Sequence, residues 1–138
     1  MSFEAVSSNG IDRDEFFIEL LNNPEGLKIK RIDDLKSSNN GKANEYFFYI
    51  HFLILSTSQV VKIGFNVKLN EDETIYVGEG AKLYPLLSFA SGIKGEAIRC
   101  RKEDIDGLLG LEFNAKSVRR KFGNKSYYVL IPISSGDE

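Results

Sequence analysis

The chain contains no tryptophan, one cysteine and one histidine, and each scarcity closes off a class of function. A lone Cys100 excludes an intramolecular disulfide and a cysteine-built zinc site, and it suits a reducing compartment. The single histidine, His51, lies inside an apolar run. A Ser-His-Asp device would have to be built around it there, so a structural or interfacial histidine is the simpler reading. Asp33-Asp34 and the Asp104/Asp106 pair lack the spacing of a metal site. Gly78 and Gly80 in "GEG" lack the Lys-Ser/Thr that completes a phosphate-cradling loop, and they suit a helix-entry turn. No nucleophile, base or metal set stands out, so we expect a protein that is not an enzyme and needs no metal or cofactor. The longest apolar run, Tyr46 to Leu55, contains His51 and falls short of the roughly 18 residues of a membrane span. The N-terminus lacks the order of a secretory signal. The expectation is a cytoplasmic protein with no membrane partner.

The net charge of −2 gives no global argument for a polyanionic partner, but its distribution is uneven. Residues 1–26 hold six acids and one base, whereas residues 94–125 hold nine bases and five acids. A basic segment therefore lies between acidic ends, which bears on partners more than the total does.

Periodicity then orders the chain. Residues 1–10 are small and polar, and a flexible N-terminus is expected. "IDRDEFFIELLNN" places Ile11, Phe16, Phe17, Leu20 and Leu21 at helical spacing behind an acidic first turn. "GLKIKRIDDL", "EYFFYIHFLIL" and "QVVKIGFNVKLN" read as three strands. "KSSNNGKAN" reads as a loop between the first two. "IYV" fits a short extra strand. "KLYPLLSFASG" changes period to a helix with Leu83, Leu86, Leu87 and Ala90 on one face and Gly92 as its C-cap. Ala97 to Cys100 fits a short strand, and "KEDIDG" a turn or one helical turn. "LEFNAKSVRR" and "SYYVLIPI" form a hairpin through "KFGNK", before a flexible tail at 134–138.

A helix, three strands, a helix and two strands match the five-stranded OB-fold, a Greek-key barrel, with a helix added at the N-terminus and another between strands three and four. The expected class is mainly β with two helices, in a single domain at 11–133. The ending "EDIDGLLGLEFNAKSVRRKFGNKSYYVLIP" resembles that of small OB-fold single-stranded-DNA-binding proteins of phages and archaea. The likeness rests on Asp106-Gly107 or Leu109-Gly110, then Phe113, Ala115, Val118, Gly123 and Tyr127 to Val129. In motif it covers about a quarter of the chain, and "GLLG" departs from the family pattern. The resemblance implies binding of single-stranded nucleic acid in replication or repair.

Alternation along the second strand turns Tyr46, Phe48, Ile50, Phe52 and Ile54 one way and Phe47, Tyr49 and His51 the other. On the third, Lys62, Asn66 and Lys68 oppose Val61, Ile63, Phe65, Val67 and Leu69. If the odd residues of the second strand face out, Phe47, Tyr49, Lys62 and Lys68 form an aromatic and cationic surface. Such a surface suits single strands, since every base has a π-face and every phosphate takes a cation. The bland alternative buries that strand on both faces beneath Phe16 and Phe17. The hairpin supplies Arg119, Arg120, Lys121 and Phe122, and the first loop supplies Lys36 and Lys42. In an OB-fold these two loops frame the cleft. The competing account of the hairpin is a solvated tip. Arg99, Arg101 and Lys102 precede acids and read first as internal ion pairs.

The expected function is non-catalytic binding of single-stranded DNA, or RNA, as a homo-oligomer or beside replication or repair proteins. The alternative is a protein-interaction or structural module on the same barrel that binds no nucleic acid.

Overall fold

The computed structural model describes residues 11–37 and 44–135. In chain order it holds helix α1 (Arg13–Asn22), strand β1 (Glu25–Ile32), a short β2 (Lys36–Ser37), β3 (Glu45–Ile54) and β4 (Val60–Leu69). There follow β5 (Ile75–Val77), α2 (Tyr84–Ser91), β6 (Ile98–Cys100), α3 (Lys102–Asp106), β7 (Glu112–Phe122) and β8 (Lys125–Ser135). The protein is mainly β, as its alternating apolar pattern requires.

All ladders are antiparallel, in one sheet ordered β6-β5-β4-β3-β1-β7-β8 with β2 paired to β3. The path is open: among the described residues no ladder joins β8 back to β4. The sheet nevertheless curls. Helix α1 touches β4 as well as β7 and β8. Helix α2, about 12 Å long, touches both β6 and β8, the two ends of the path, which a flat sheet at 4.8 Å per strand would hold about 29 Å apart.

The core lies inside this curl. β3 turns Phe48, Ile50, Phe52 and Ile54 inward and β4 turns Val61, Ile63, Phe65 and Val67 inward, all buried. Leu27 and Ile29 of β1 and Phe113 and Ala115 of β7 are fully enclosed. Phe113 meets Phe52 edge to face at 6.2 Å and Phe89 of α2 at 5.9 Å, tying the helix to the sheet. α1 starts at Asp12, whose carboxylate accepts from the amides of Asp14 and Glu15. It sinks Phe16, Phe17 and Leu20 into the core and leaves its acids outside. The Ser117 hydroxyl donates to the Phe17 carbonyl at 2.7 Å, pinning α1 to β7. α2 ends at Gly92 in the left-handed conformation, φ 79°, where a side chain would be strained.

Several finer expectations differ. The described residues form eight strands rather than five and three helices rather than two. Of the short elements, "IYV" forms β5, Ile98–Cys100 forms β6 and Lys102–Asp106 forms the single turn α3, as the sequence suggests, and β2 is the unanticipated one. The second helix lies between the third and fourth long strands, β4 and β7, with the short β5 before it and β6 after it. Lys36 and Ser37, read as loop, pair with Phe47 and Tyr46. The hairpin turn is only Gly123-Asn124, because the ladder runs out to Phe122 opposite Lys125. β8 extends to Ser135. Ala90, assigned to the buried face of α2, is exposed, and Tyr84 takes that role.

Candidate nucleic-acid interface

The outer face of β3 and β4 follows from the pleat. With Phe48, Ile50, Phe52 and Ile54 in the core, Phe47, Tyr49 and His51 point outward and are half-buried, and among the described residues no helix packs broadly on β3. Register pairs Phe47 with Asn66, Tyr49 with Gly64 and His51 with Lys62. Lys62, Asn66 and Lys68 are exposed.

Contacts among these residues are specific. Phe47 and Tyr49 meet edge to face at 5.9 Å. Lys62 Nζ stands 4.5 Å from the centre of the Tyr49 ring, a cation–π distance. Tyr49 reclines over Gly64, where a β-carbon would fall 3.1 Å from its Cε1. Lys36 stands opposite Phe47 on β2. The predicted group Phe47, Tyr49, Lys62, Lys68 and Lys36 is thus on one face. Lys42 lies outside the described residues.

The face extends further than alternation in β3 and β4 suggested. β5 adds Tyr76, 53% exposed and opposite Lys68, and β6 adds Arg99 opposite Tyr76. Tyr76 was legible in "IYV", since a β-strand that buries Ile75 and Val77 must turn the residue between them outward. Of the second basic cluster, Lys102 is internally satisfied: it pairs with Asp106 and covers the Phe48 ring at 5.3 Å. Arg99 instead joins the open face.

On the β1 side the face ends in a charged cluster. With the Asp33 carboxylate as acceptor, His51 Nε2 donates to Oδ2 at 3.1 Å, and Arg31 Nε stands 2.8 Å from Oδ1. The His51 hydrogen bond, with the charges of His51 and Arg31, outweighs partial burial and holds the Asp33 carboxyl below the usual carboxylate range.

The hairpin cations are divided. Because β7 continues to Phe122, Arg119 and Lys121 lie on one side of the hairpin and Arg120 and Phe122 on the other. Arg119 donates to Ser126 at 2.9 Å. Phe122 is 81% exposed. A groove of about 490 Å³ runs between Gly64 of β4, helix α1 and residues Ser126 to Tyr128 of β8. Lys82 lines it and lies over the Tyr127 ring at 5.3 Å. This groove leads from Gly64, beneath Tyr49, toward the tip of the hairpin. Phe47 and Lys68 are not in contact with Arg119, Arg120, Lys121 or Phe122 in any pairing of the sheet.

Among the described residues no group of three His, Cys, Asp or Glu side chains could hold a metal ion, and no helix is long and apolar enough to cross a membrane. Comparison with family models, curated proteins and solved structures finds no match.

Proposed function

We propose that the protein binds single-stranded nucleic acid, DNA in the first instance, on the outer face of β3 and β4. The observation that supports this most is the coincidence of Phe47, Tyr49 and Tyr76 with Lys36, Lys62, Lys68 and Arg99 on one face of the sheet. Aromatic rings accept bases at about 1–3 kcal/mol each, without regard to sequence. Lys62, now over Tyr49, can swing to a phosphate and leave the ring to a base. The groove beside Gly64 would then guide the strand toward the hairpin, where Arg119 and Lys121, on the same side as Ser126 and Tyr128, hold its backbone.

The order of the long strands favours the same reading. β7-β1-β3-β4 is the fourth, first, second and third long strand, the spatial order of a Greek key. With β8 as the fifth, the long strands follow the path of a partly open OB-like barrel, whose second and third strands form the usual binding face. In this reading the protein is a non-catalytic module of replication or repair.

Fluorescence anisotropy of a labelled mixed-sequence 20-nucleotide DNA, across a range of salt, tests the proposal. Binding should weaken with salt at a log–log slope of about −0.7 per phosphate contacted. The Tyr49→Ala/Lys62→Ala variant should lose most of it, and Arg119→Ala/Arg120→Ala/Lys121→Ala part of it. Absence of binding at every salt concentration would overturn the proposal.

One observation favours a second reading, a protein-interaction module. Among the described residues β8 forms a ladder only with β7, which leaves one edge of an eleven-residue strand without a strand partner, and Ile133 on it is 45% exposed. A concentration-dependent dimer with no affinity for oligonucleotides would support that reading.

A further inference from the structure

The β4–β5 ladder ends at Lys68 opposite Tyr76. Beyond it β5 leaves β4, and Gly78 turns the chain toward α2, its carbonyl accepting from Ala81 at 3.0 Å. The parting leaves a pocket of about 440 Å³ lined by Glu45, Asn66, Val67, Lys68, Tyr76, Gly78 and Ala81. That size lies in the range of small-molecule sites.

From its chemistry we infer that this pocket takes one unstacked adenine base. The inference rests on the nucleic-acid reading above for its class of ligand. Three features argue for a base instead of a phosphate. First, the pocket has an aromatic wall. Tyr76 is 53% exposed, and nothing stands in front of it at position 78, where a β-carbon would lie 3.9 Å from its Cε1. Second, the pocket's charge is balanced, with Glu45 and Lys68 paired across the β3–β4 ladder. A phosphate would meet a carboxylate there, whereas a neutral ring would not suffer. Third, the polar groups are those that read a base edge. Asn66 presents an amide donor and acceptor side by side on the exposed face. Adenine offers the complementary pair, an amino donor beside a ring-nitrogen acceptor. The backbone adds another pair. Strand residues send their N–H and C=O groups alternately to either side, and neither Asn66 nor Val67 is matched to β5. One of the two therefore directs its main-chain groups into the gap.

The pocket adjoins the aromatic row, since Asn66 is opposite Phe47. A strand lying across Phe47 and Tyr49 would thus deliver its next base to the pocket. Sequence-tolerant stacking along the row would then be combined with one base that is read.

Two measurements test this. The first compares nine-nucleotide thymidylate with the same strand carrying one central adenine. We expect about tenfold tighter binding of the adenine strand. Asn66→Ala should cut that preference to under about twofold and leave thymidylate affinity unchanged. Gly78→Val, which fills the pocket at a position with no left-handed backbone requirement, should do the same. The second titrates adenosine, thymidine and guanosine 5′-monophosphates into ¹⁵N-labelled protein and follows the amides of Val67, Gly78 and Ala81. Adenosine monophosphate should move them saturably, and in Asn66→Ala it should not. Strand binding without adenine preference, and no shift at these amides, would overturn the pocket and leave the proposed function standing. Adenosine monophosphate in the pocket without strand binding would uphold the pocket and overturn the proposed function.

Discussion

Tyr49 lies across Gly64, its partner on the neighbouring strand, so closely that a β-carbon at position 64 would stand 3.1 Å from Tyr49 Cε1. The glycine seats the ring flat on the sheet, and Lys62 Nζ covers it from 4.5 Å. Gly64→Ala should lift the ring. Its effect on stability should be small, within about 0.5 kcal/mol, because alanine suits a strand slightly better than glycine and the ring is free to move outward. Its effect on binding should be larger, at least threefold weaker for single-stranded DNA. The Tyr49 ring lies within contact distance of Gly64, so the Gly64 α-protons should feel its ring current. Their proton NMR shifts should lie upfield and return toward ordinary values in Tyr49→Leu. Ordinary shifts in the wild type would contradict the seating.

Ser117 is the buried polar residue of the core, and its hydroxyl reaches the Phe17 carbonyl of α1 at 2.7 Å. Ser117→Ala should cost about 1 kcal/mol in urea denaturation, the usual net worth of such a bond. Phe17 stacks on Tyr128 at 5.6 Å beside the groove. Phe17→Ala should therefore cost more, about 3–5 kcal/mol. These values make α1 part of the folded core. An equally stable protein after loss of the Phe17 ring would contradict that role.

The acid side of the stability curve should depend on Asp33. Its carboxyl is held below the ordinary aspartate value by His51 and Arg31. The stability from that pairing is therefore full above the unfolded-state pKa of about 3.9 and is lost as pH falls through the lower native value. Asp33→Asn should be less stable at pH 6 and should lose less on going from pH 5 to pH 2. Parallel wild-type and variant curves over that range would contradict the pairing.

Much of the fold was legible because each long strand carries its own period of two. Phe48, Ile50, Phe52 and Ile54 could be assigned to the core from β3 alone, and with them the outward turn of Phe47 and Tyr49. Less was legible where structure depends on partners distant in sequence. β2, two residues long, exists because the longer β3 pairs with it, and two residues carry no periodicity. The seating of Tyr49 on Gly64 needs the β3–β4 register, which neither strand specifies by itself. The Arg119-Arg120-Lys121 run looks in sequence like one loop cluster. The ladder continues through it, so the pleat divides the three cations between two sides. The outward turn of Tyr76 follows from "IYV" itself, but its place beside Lys68 arises only when β5 pairs with β4.

The claim that single strands bind across β3 and β4 is tested most directly by mapping a bound oligonucleotide onto the backbone amides. Titration of ¹⁵N-labelled protein with a twelve-nucleotide thymidylate at low salt should shift the amides of Phe47, Tyr49, Lys62, Gly64 and Lys68 together, with a weaker set at Arg119 to Lys121. Shifts confined to the free edge of β8, or no shifts at all, would contradict the account.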